Sequence, residues 1–314
     1  MKTKFIKDFE LNDKLTSEQF AIKSIRYGKT ADGRNYVNLT VGDKTGEIDA
    51  KIWEGDINNC QKVNEGDIVE LSAIVSEYKD KQQLKITYLQ KVENFDLENF
   101  LPTTSKDIDE LWSSIKESIS QISDLHLKKL VNSFFADKDF ALNIKKCPAA
   151  QWVHHAYIGG LLEHLSEMLQ LSAVVSQNYP RINKDLLITA ILLHDIGKTE
   201  ELNVTHTITR TLSGSLVSHV TQGALMVDKA ITKQKDFPED LRLKILHLIL
   251  SHHGQLEFGS PVKPMTIEAI ALHYLDNLSA KINTAEHFIS EFSGADAEFT
   301  SEIKFLDNSK LYLK

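Results

Sequence analysis

The feature that most constrains this chain is a set of histidines and aspartates spread at wide intervals along its C-terminal half. At its centre is the run His-Asp-Ile-Gly-Lys at residues 194–198. Neutral imidazoles and carboxylates are ligands for Zn, Mn and Fe, and an aspartate beside a histidine can bridge two metals. To gather these groups, the chain must fold so that distant segments meet. The set comprises His164, His194, Asp195, His219, His252, His253 and Asp276.

The segments that carry this set have apolar residues at helical spacing. Residues 161–171 show one apolar stripe, and residues 186–193 are almost wholly apolar. A helix that is apolar all round is a central core helix, so we expect the second segment to deliver the His-Asp pair inside a bundle. Asn183 is its predicted N-cap, and Thr266 or Pro264 is expected to start the helix that carries the last aspartate.

Each member of the set also has an ordinary explanation, because a lone histidine is more often a core or surface residue than a ligand. A buried, unpaired aspartate is costly, however, and metal coordination is one of the few ways to make Asp195 tolerable in a core. The ordered set is therefore stronger evidence than any single member. Such a metal site activates water for attack on a phosphate ester, so the pattern predicts a metal-dependent phosphohydrolase.

Residues from about 150 to 290 resemble an HD-domain metal-dependent phosphohydrolase. The resemblance implies two divalent metals and a catalytic Asp195 that bridges them. It also implies that Lys198 is catalytic and faces the substrate phosphate, where an ammonium stabilises charge on a phosphoryl oxygen. A solvated lysine at a helix end is the alternative. The implied ligands are His164, His194, Asp195 and Asp276 for the first metal, and His219, His252 and His253 for the second.

Three more residues are candidates near the substrate phosphate. His155 precedes the Gly-Gly turn before the first ligand helix, and it either lines the pocket or belongs to the helix entry. Arg210 follows the His-Asp helix and has a guanidinium suited to a phosphate oxygen. His206, in the same stretch, is a further residue within reach of the site.

Between about residues 18 and 92 the apolar pattern changes to period two, which is typical of strands. Turn signals such as Asp32-Gly33 separate five such runs, and residues 54–63 predict a short helix or loop between the third and the fourth. Five short strands with that interruption resemble an OB-fold. The predicted strands are Phe20–Tyr27, Tyr36–Val41, Ile48–Trp53, Ile68–Val75 and Gln83–Leu89.

OB-folds bind single strands on the face of strands two and three, between the loops that follow strands one and four. Tyr36 and Trp53 fall on the polar face of these strands, and exposed aromatics between basic loops are typical of a stacking platform for nucleic acid. Residues 20–92 have as many basic as acidic residues. The alternative is therefore that Trp53 packs under the helical segment and Tyr36 is a strand former. The loops contribute Lys29, Arg34, Lys79 and Lys81.

The chain of 314 residues is long enough for more than one domain. We predict a multidomain α and β protein, in which a five-stranded OB-type β-barrel for nucleic-acid binding spans residues 1–95. An all-α HD-domain helical bundle follows over residues 150–314. Residues 96–149 are expected to form a helical connector that packs on the bundle, with a helix capped by Ser105 or Thr104.

The net charge of −8 argues against a protein coated in positive charge, although it leaves room for a local basic track. The N-terminal residues lack the apolar core of a signal peptide, and no apolar run approaches the length that crosses a bilayer. Cys60 and Cys147 are expected to be free thiols of a reducing compartment. We therefore predict a cytoplasmic protein without a membrane partner.

The order of the modules, together with His155, the Gly-Gly-Leu-Leu-Glu-His run at 159–164 and the run at 194–198, resembles the YhaM family of bacterial 3′→5′ exoribonucleases. The resemblance implies a hydrolase of RNA degradation, a Mn²⁺-dependent phosphodiesterase that trims single-stranded RNA, and also single-stranded DNA, to nucleoside 5′-monophosphates. Ser215 and Ser218 depart from the family, which tends to have a lysine and a second glycine there. A homo-oligomer that encloses the active sites would explain a preference for free ends, but the sequence leaves the oligomeric state open.

Two other functions stay open. An HD phosphohydrolase that acts on a small nucleotide or a cyclic dinucleotide would have the same metal set, but it would not need an aromatic face between basic loops. A nucleic-acid-binding protein without catalysis would not need all seven ligands.

Overall fold

The structure, a computed structural model, describes residues 2–30, 32–79, 81–151, 154–205, 207–291 and 297–314. The chain forms two compact units, and the main change from one to the other lies between Pro102 and Thr103. The helical segment after Thr103 belongs to the second unit. The domain boundaries at residues 95 and 149 stay predictions.

The first unit is a β-barrel. Over the described residues its strands are β1 Lys14–Lys29, β2 Asn35–Asp43, β3 Gly46–Trp53, β4 Ile68–Tyr78 and β5 Lys81–Lys91. They close in the order β1-β2-β3-β5-β4, with β3 and β5 parallel and the other pairs antiparallel. This topology confirms the predicted OB-type barrel. A 3₁₀ helix at Glu54–Asn59 follows β3, where the sequence indicated a short helix or loop.

The longest strand of the barrel is β1, which starts at Lys14 rather than at the predicted Phe20. Its first part pairs with β4 and its second part pairs with β2, so one strand serves both neighbours and closes the barrel. Side chains alternate along the strands as the period-two pattern predicts. In β2, Val37 and Leu39 face the core, whereas Tyr36 and Asn38 face outward.

The second unit is a helical bundle, as predicted. Within the described part of the chain its helices are α1 Ile108–Ser120, α2 Leu125–Phe135, α3 Lys138–Lys146, α4 Gly160–Asn178, α5 Lys184–Leu193, α6 Lys198–Glu201, α7 Leu212–Val217, α8 His219–Thr232, α9 Glu239–Ser251 and α10 Ile267–Glu291. A two-stranded hairpin, β6 Leu202–Val204 and β7 Ile208–Arg210, departs from a purely helical domain. β-Branched residues at Val204, Ile208 and Thr209 favour this extended conformation.

The central helix of the bundle is α5. All residues from Leu186 to Leu193 are buried, and the helix packs against α1, α2, α4, α9 and α10. A helix that is covered on every side has no polar face, which is why this segment is apolar throughout. The Asn183 side chain accepts a hydrogen bond from the Leu186 N–H, so the predicted N-cap is confirmed.

The caps of two other helices were predicted less well. Asp107 caps α1 by accepting hydrogen bonds from the backbone N–H groups of the first turn. The prediction of Ser105 or Thr104 was wrong, because the Thr104 hydroxyl donates to Oε2 of Glu163 at 2.6 Å instead. Of the two candidates for the start of α10, Thr266 is confirmed, since its Oγ1 accepts from the N–H of the third residue along.

Among the helices that the structure describes, none combines the length and the apolar character needed to cross a membrane. The cytoplasmic location stays a prediction.

Phe20 is fully buried in the barrel, whereas Tyr27 on the same strand is 67% exposed. Phe20→Ala should lower the free energy of unfolding by about 3–5 kcal/mol, because it removes a buried ring and leaves a cavity. Tyr27→Ala is the control and should change it by less than about 0.5 kcal/mol. Urea denaturation of the full chain measures both. Equal losses would contradict a core position for Phe20.

Candidate metal centre

The predicted ligands are delivered by five different helices. The core helix α5 ends at Leu193, so it carries the adjoining His-Asp pair into the middle of the bundle. Helix α8 begins at His219, and α9 ends at Ser251, just before the His-His pair. The other two ligands, His164 and Asp276, lie within α4 and α10.

Asp195 lies between two groups of side chains and turns one carboxylate oxygen toward each. Its Oδ2 is 3.3 Å from Nε2 of His194. Its Oδ1 is 3.5 Å from Nε2 of His219 and 3.7 Å from Nε2 of His252. A carboxylate in this position can contact two cations, one on each oxygen.

Each of these groups is compact enough for one ion. On the first side, Nε2 of His164 is 3.2 Å from Oδ1 of Asp276, and Nε2 of His194 is 4.0 Å from the same oxygen. On the second side, three imidazole rings have centroids 4.2–6.0 Å apart, those of His219, His252 and His253. Within each of these two trios the donor atoms lie within 4.8 Å of one another. The structure therefore brings together all seven side chains singled out in the sequence.

The ligand histidines present Nε2 to the centre because Nδ1 is engaged elsewhere. Nδ1 of His194 donates to the Ile191 carbonyl at 2.8 Å, and Nδ1 of His252 donates to the Ile249 carbonyl at 2.6 Å. Such bonds fix the tautomer in which Nε2 carries the lone pair. Several buried atoms at the centre have no hydrogen-bond partner among the described residues: Nε2 of His164, His194, His219 and His252, and Oδ1 of Asp195.

These atoms fit a divalent metal, because buried polar atoms without partners are costly and coordination removes that cost. Burial lowers the pKa of His252 well below its ordinary value and also lowers the pKa of His164, so both imidazoles are neutral and able to ligate. Burial would raise the pKa of Asp195, but Lys198 and His194 hold it well below its ordinary range. Imidazole and carboxylate donors together suit Mn, Fe and Zn.

The close approach of α8 to the His-Asp turn depends on Gly197. A Cβ atom at Gly197 would lie 2.1 Å from the carbonyl oxygen of His219 and 2.7 Å from the backbone nitrogen of Gly223. Both of these atoms belong to the backbone of α8, so neither moves aside without moving the helix. The glycine in the His-Asp-Ile-Gly-Lys run thus lets the second group of histidines reach Asp195.

Lys198 lies inside the site rather than at a solvated helix end. Its side chain is buried, and its Nζ is 2.5 Å from Oδ2 of Asp195. Burial alone would lower the pKa of Lys198, but the Asp195 carboxylate raises it, so the ammonium is charged. Arg210 is exposed on β7, with Nε 3.8 Å from Oε1 of Glu201, and so lies at the rim of the site.

His155 is fully buried. Its Nε2 is 3.3 Å from Oε2 of Glu167, and its backbone has a φ of +48°. The backbone N–H of His155 donates to Oδ1 of Asn283 at 2.7 Å. A phosphate contact for His155 stays a prediction, and His206 lies outside the described residues.

Three polar residues behind the ligands were missed in the sequence. Oε2 of Glu201 is 2.7 Å from Nδ1 of His219. Oγ of Ser279 is 2.9 Å from Nδ1 of His164 and donates to Oε2 of Glu167 at 2.8 Å. The sequence did contain a signal for Ser279 and Glu167. Ser279 follows Asp276 by three residues and Glu167 follows His164 by three, so each shares a helix face with a candidate ligand. Glu201 has no comparable spacing signal, because the chain between it and the His-Asp pair is not one continuous helix.

The barrel carries the predicted aromatic pair on its outer face. Tyr36 and Trp53 are partners across β2 and β3, with ring centroids 6.1 Å apart, and Trp53 is 39% exposed. Nζ of Lys51 is 4.9 Å from the Tyr36 ring centroid and 4.7 Å from that of Trp53. Gly28 makes room for the tyrosine, because a Cβ atom there would lie 2.5 Å from its ring. The Tyr36 ring therefore lies over the backbone of β1.

A basic row lies beside this pair, formed by Arg26, Lys51 and Lys85. Arg26 pairs with Asn38, which pairs with Lys51, which pairs with Lys85, on adjacent strands. Since neighbouring strands are roughly 4.8 Å apart, Lys51 and Lys85 are adjacent, and Arg26 lies in the same row on the far side of Asn38. Period-two alternation already put Lys51 on the same face as Trp53, but the basic residues of the binding face were predicted in the loops. A groove of about 380 Å³ on this face is lined by residues that include Arg26, Asn38, Asp49, Lys51, Tyr78 and Gln83.

The four loop cations named in the sequence are all exposed: Lys29, Arg34, Lys79 and Lys81. Arg34 is less available to a phosphate, because its guanidinium Nη2 is 2.6 Å from Oδ2 of Asp32. Nζ of Lys79 is 5.4 Å from the ring centroid of Tyr78.

The two units define a class of protein that joins a nucleic-acid-binding type of barrel to a helical bundle with a metal-ligand set. The chain matches the family model described as an OB-fold nucleic acid binding domain over residues 21–92. It matches the family model described as an HD domain over residues 161–281.

Curated relatives resemble the chain over nearly its whole length. The 3′-5′ exoribonuclease YhaM of Bacillus velezensis is 31% identical over 94% of this chain and 93% of its own. That of Listeria welshimeri is 32% identical over 97% of this chain and 96% of its own. The chain belongs to the YhaM 3′-5′ exoribonuclease family, which confirms the resemblance seen in the sequence.

Ser218 has φ +66° and ψ 150° directly before His219, a conformation that is essentially reserved for glycine. Ser218→Gly should raise the free energy of unfolding by roughly 1–2 kcal/mol, because it relieves this strain. The same change at Ser215, which is helical in α7, should instead lower it by about 0.5 kcal/mol. Calorimetry of both variants in EDTA measures the difference. Destabilisation by both would contradict a strained Ser218.

Proposed function

We propose that this protein is a metal-dependent 3′→5′ exoribonuclease that hydrolyses single-stranded RNA to nucleoside 5′-monophosphates at a two-metal site. The observation that carries the proposal is Asp195, whose two oxygens face two separate groups of ligands. The aromatic pair and the basic row on the barrel support a polynucleotide substrate. The names of the relatives, 3′-5′ exoribonuclease, support the substrate and the polarity.

The seven side chains would hold two divalent ions, with Mn²⁺ favoured. Such ions supply positive charge that activates water and neutralises phosphoryl oxygens. Asp195 ties the two groups together and so fixes the spacing between them. The first group is His164, His194, Asp195 and Asp276, and the second is Asp195, His219, His252 and His253.

Lys198 and Arg210 act on phosphate in different ways. The buried Lys198 ammonium places positive charge directly beside Asp195, where it stabilises charge that develops on a phosphoryl oxygen. The exposed Arg210 guanidinium, at the rim, suits a phosphate of the strand next to the scissile bond. His155 is buried beside an acidic side chain, which favours a supporting role behind the ligands over direct contact with phosphate.

The barrel holds the upstream part of the strand. Tyr36 and Trp53 offer ring faces on which bases of any identity stack. The basic row neutralises backbone phosphates, so binding weakens as salt rises, and Lys29, Arg34, Lys79 and Lys81 extend the path at the loops. Stacking and phosphate contacts do not depend on the 2′-hydroxyl, so we include single-stranded DNA as a second substrate.

The proposal is tested with a 5′-labelled single-stranded RNA of about 20 nucleotides, a length that exceeds one OB-fold site. With Mn²⁺ we expect a ladder that shortens from the 3′ end, and chromatography should identify nucleoside 5′-monophosphates. EDTA and Asp195→Ala should each abolish the ladder, because EDTA removes divalent ions and the substitution removes the carboxylate that would hold them. Asp139→Ala, an exposed change on α3, is the matched control and should leave it intact.

RNA that stays intact under all of these conditions would overturn the nuclease. A small nucleotide or a cyclic dinucleotide hydrolysed by the same site would then favour the alternative, an HD phosphohydrolase for small substrates.

Trp53→Ala should weaken binding of the same long RNA by about 1–3 kcal/mol, because one stacked base loses its platform. Hydrolysis of a dinucleotide should be unchanged, because a single phosphodiester needs only the ligand set of the helical bundle. Tyr88→Ala is the control, because Tyr88 is also 39% exposed on the barrel but lies on β5 opposite Ser72 of β4, outside the pair that Trp53 forms with Tyr36. Fluorescence anisotropy with Asp195→Ala protein measures the affinity. Equal weakening by both variants would argue against the platform.

A further inference from the structure

The Nδ1 atoms of the candidate ligand histidines, which face away from the centre, have two kinds of partner. Nδ1 of His194, His252 and His253 each donates to a backbone carbonyl nearby in sequence. His219 and His164 are instead held by side chains, and one of them belongs to each metal group. Backbone carbonyls come with any helix end, whereas a side chain in this position is specific to the sequence.

The support behind His219 is Glu201. The residue is 4% exposed, and its Oε2 is 2.7 Å from Nδ1 of the imidazole. Its other oxygen, Oε1, is 3.8 Å from Nε of Arg210, so the Glu201 carboxylate lies between an imidazole and a guanidinium. A carboxylate this close to Nδ1 favours a proton on that nitrogen, and a proton there leaves the Nε2 lone pair free for a metal and makes Nε2 a stronger donor.

The support behind His164 is a relay of two residues. The Ser279 hydroxyl donates to Oε2 of Glu167 at 2.8 Å, so its oxygen is free to accept from Nδ1 of His164, 2.9 Å away. Glu167 is fixed in turn by Nζ of Lys106 at 2.8 Å and faces Nε2 of His155 at 3.3 Å. Burial would raise the pKa of Glu167, but these partners lower it to about 2, so this group is an anion.

We propose that Glu201 and Glu167 are positioning residues, each of which tunes one metal. Glu201 acts directly through His219 on the second metal, and Glu167 acts through Ser279 and His164 on the first. This inference rests on the proposed two-metal site. It assigns the buried His155 and the exposed Lys106 to the outer layer that orients Glu167, away from the substrate.

The test measures Mn²⁺ binding to the full chain by equilibrium dialysis, without RNA. Two parent variants separate the two sites. His253→Ala removes a ligand of the second site, so only the first should bind Mn²⁺, and Asp276→Ala removes a ligand of the first, so only the second should bind. Glu201→Gln should lower the affinity about 10- to 100-fold in the Asp276→Ala background, because it removes the anion behind a ligand of the second metal. It should leave the affinity unchanged in the His253→Ala background. Ser279→Ala should show the opposite pattern.

Matched controls separate positioning from folding. Glu200→Gln, the exposed neighbour, and Ser290→Ala, exposed on the same helix as Ser279, should bind Mn²⁺ as the parent does. Thermal denaturation in EDTA should show each variant folded. In otherwise wild-type protein, excess Mn²⁺ should restore RNA hydrolysis by Glu201→Gln to the same kcat, because the ion is bound more weakly but in the same place.

Equal losses in both backgrounds would overturn the inference, since they would indicate a general structural role, and so would unchanged affinity in all variants. Wild-type protein that binds two ions but leaves RNA intact would overturn the proposed nuclease while leaving this inference standing. Wild-type protein that binds fewer than two ions would overturn both the two-metal site and this assignment.

Discussion

The buried carboxylate of Asp195 is the constraint on which the rest of the structure depends. It lies at the end of the most apolar helix of the bundle, where an unpaired charge would cost several kcal/mol. The charge is tolerated because Lys198 contacts one oxygen and imidazoles from three helices surround both. The helices that pack around α5 therefore also shape the site, so the apolar core and the candidate metal ligands depend on the same packing.

The two units offer two different kinds of contact to a polynucleotide substrate. The bundle concentrates charged and ligating groups at one point, which suits reaction at a single phosphodiester. The barrel spreads aromatic rings and cations over an open sheet face, which suits many weak contacts along a strand. Neither arrangement is specific for a base, so the pair is suited to processing strands of varied sequence.

Much of the fold was predictable because the spacing of apolar residues along the sequence indicates which positions are buried. The run from Leu186 to Leu193 predicted the core helix, and alternation in β2 and β3 predicted that Tyr36 and Trp53 face outward together. The ligands were found because their residue types are rare at core positions. The sequence did not show which polar groups from different segments contact each other. Thr104 donates a hydrogen bond to Glu163 instead of capping a helix, and Glu201 contacts His219. Such contacts depend on the tertiary packing of chain segments far apart in sequence, which no local pattern encodes.

The contact between Lys198 and Asp195 has a consequence for how ions enter the site. The ammonium already occupies Oδ2, the oxygen that faces the first group of ligands. A divalent ion bound on that side would share this oxygen with the ammonium or displace it. Its binding free energy would then be the difference between two cations that compete for one carboxylate, and a displaced lysine would be available to an incoming anion.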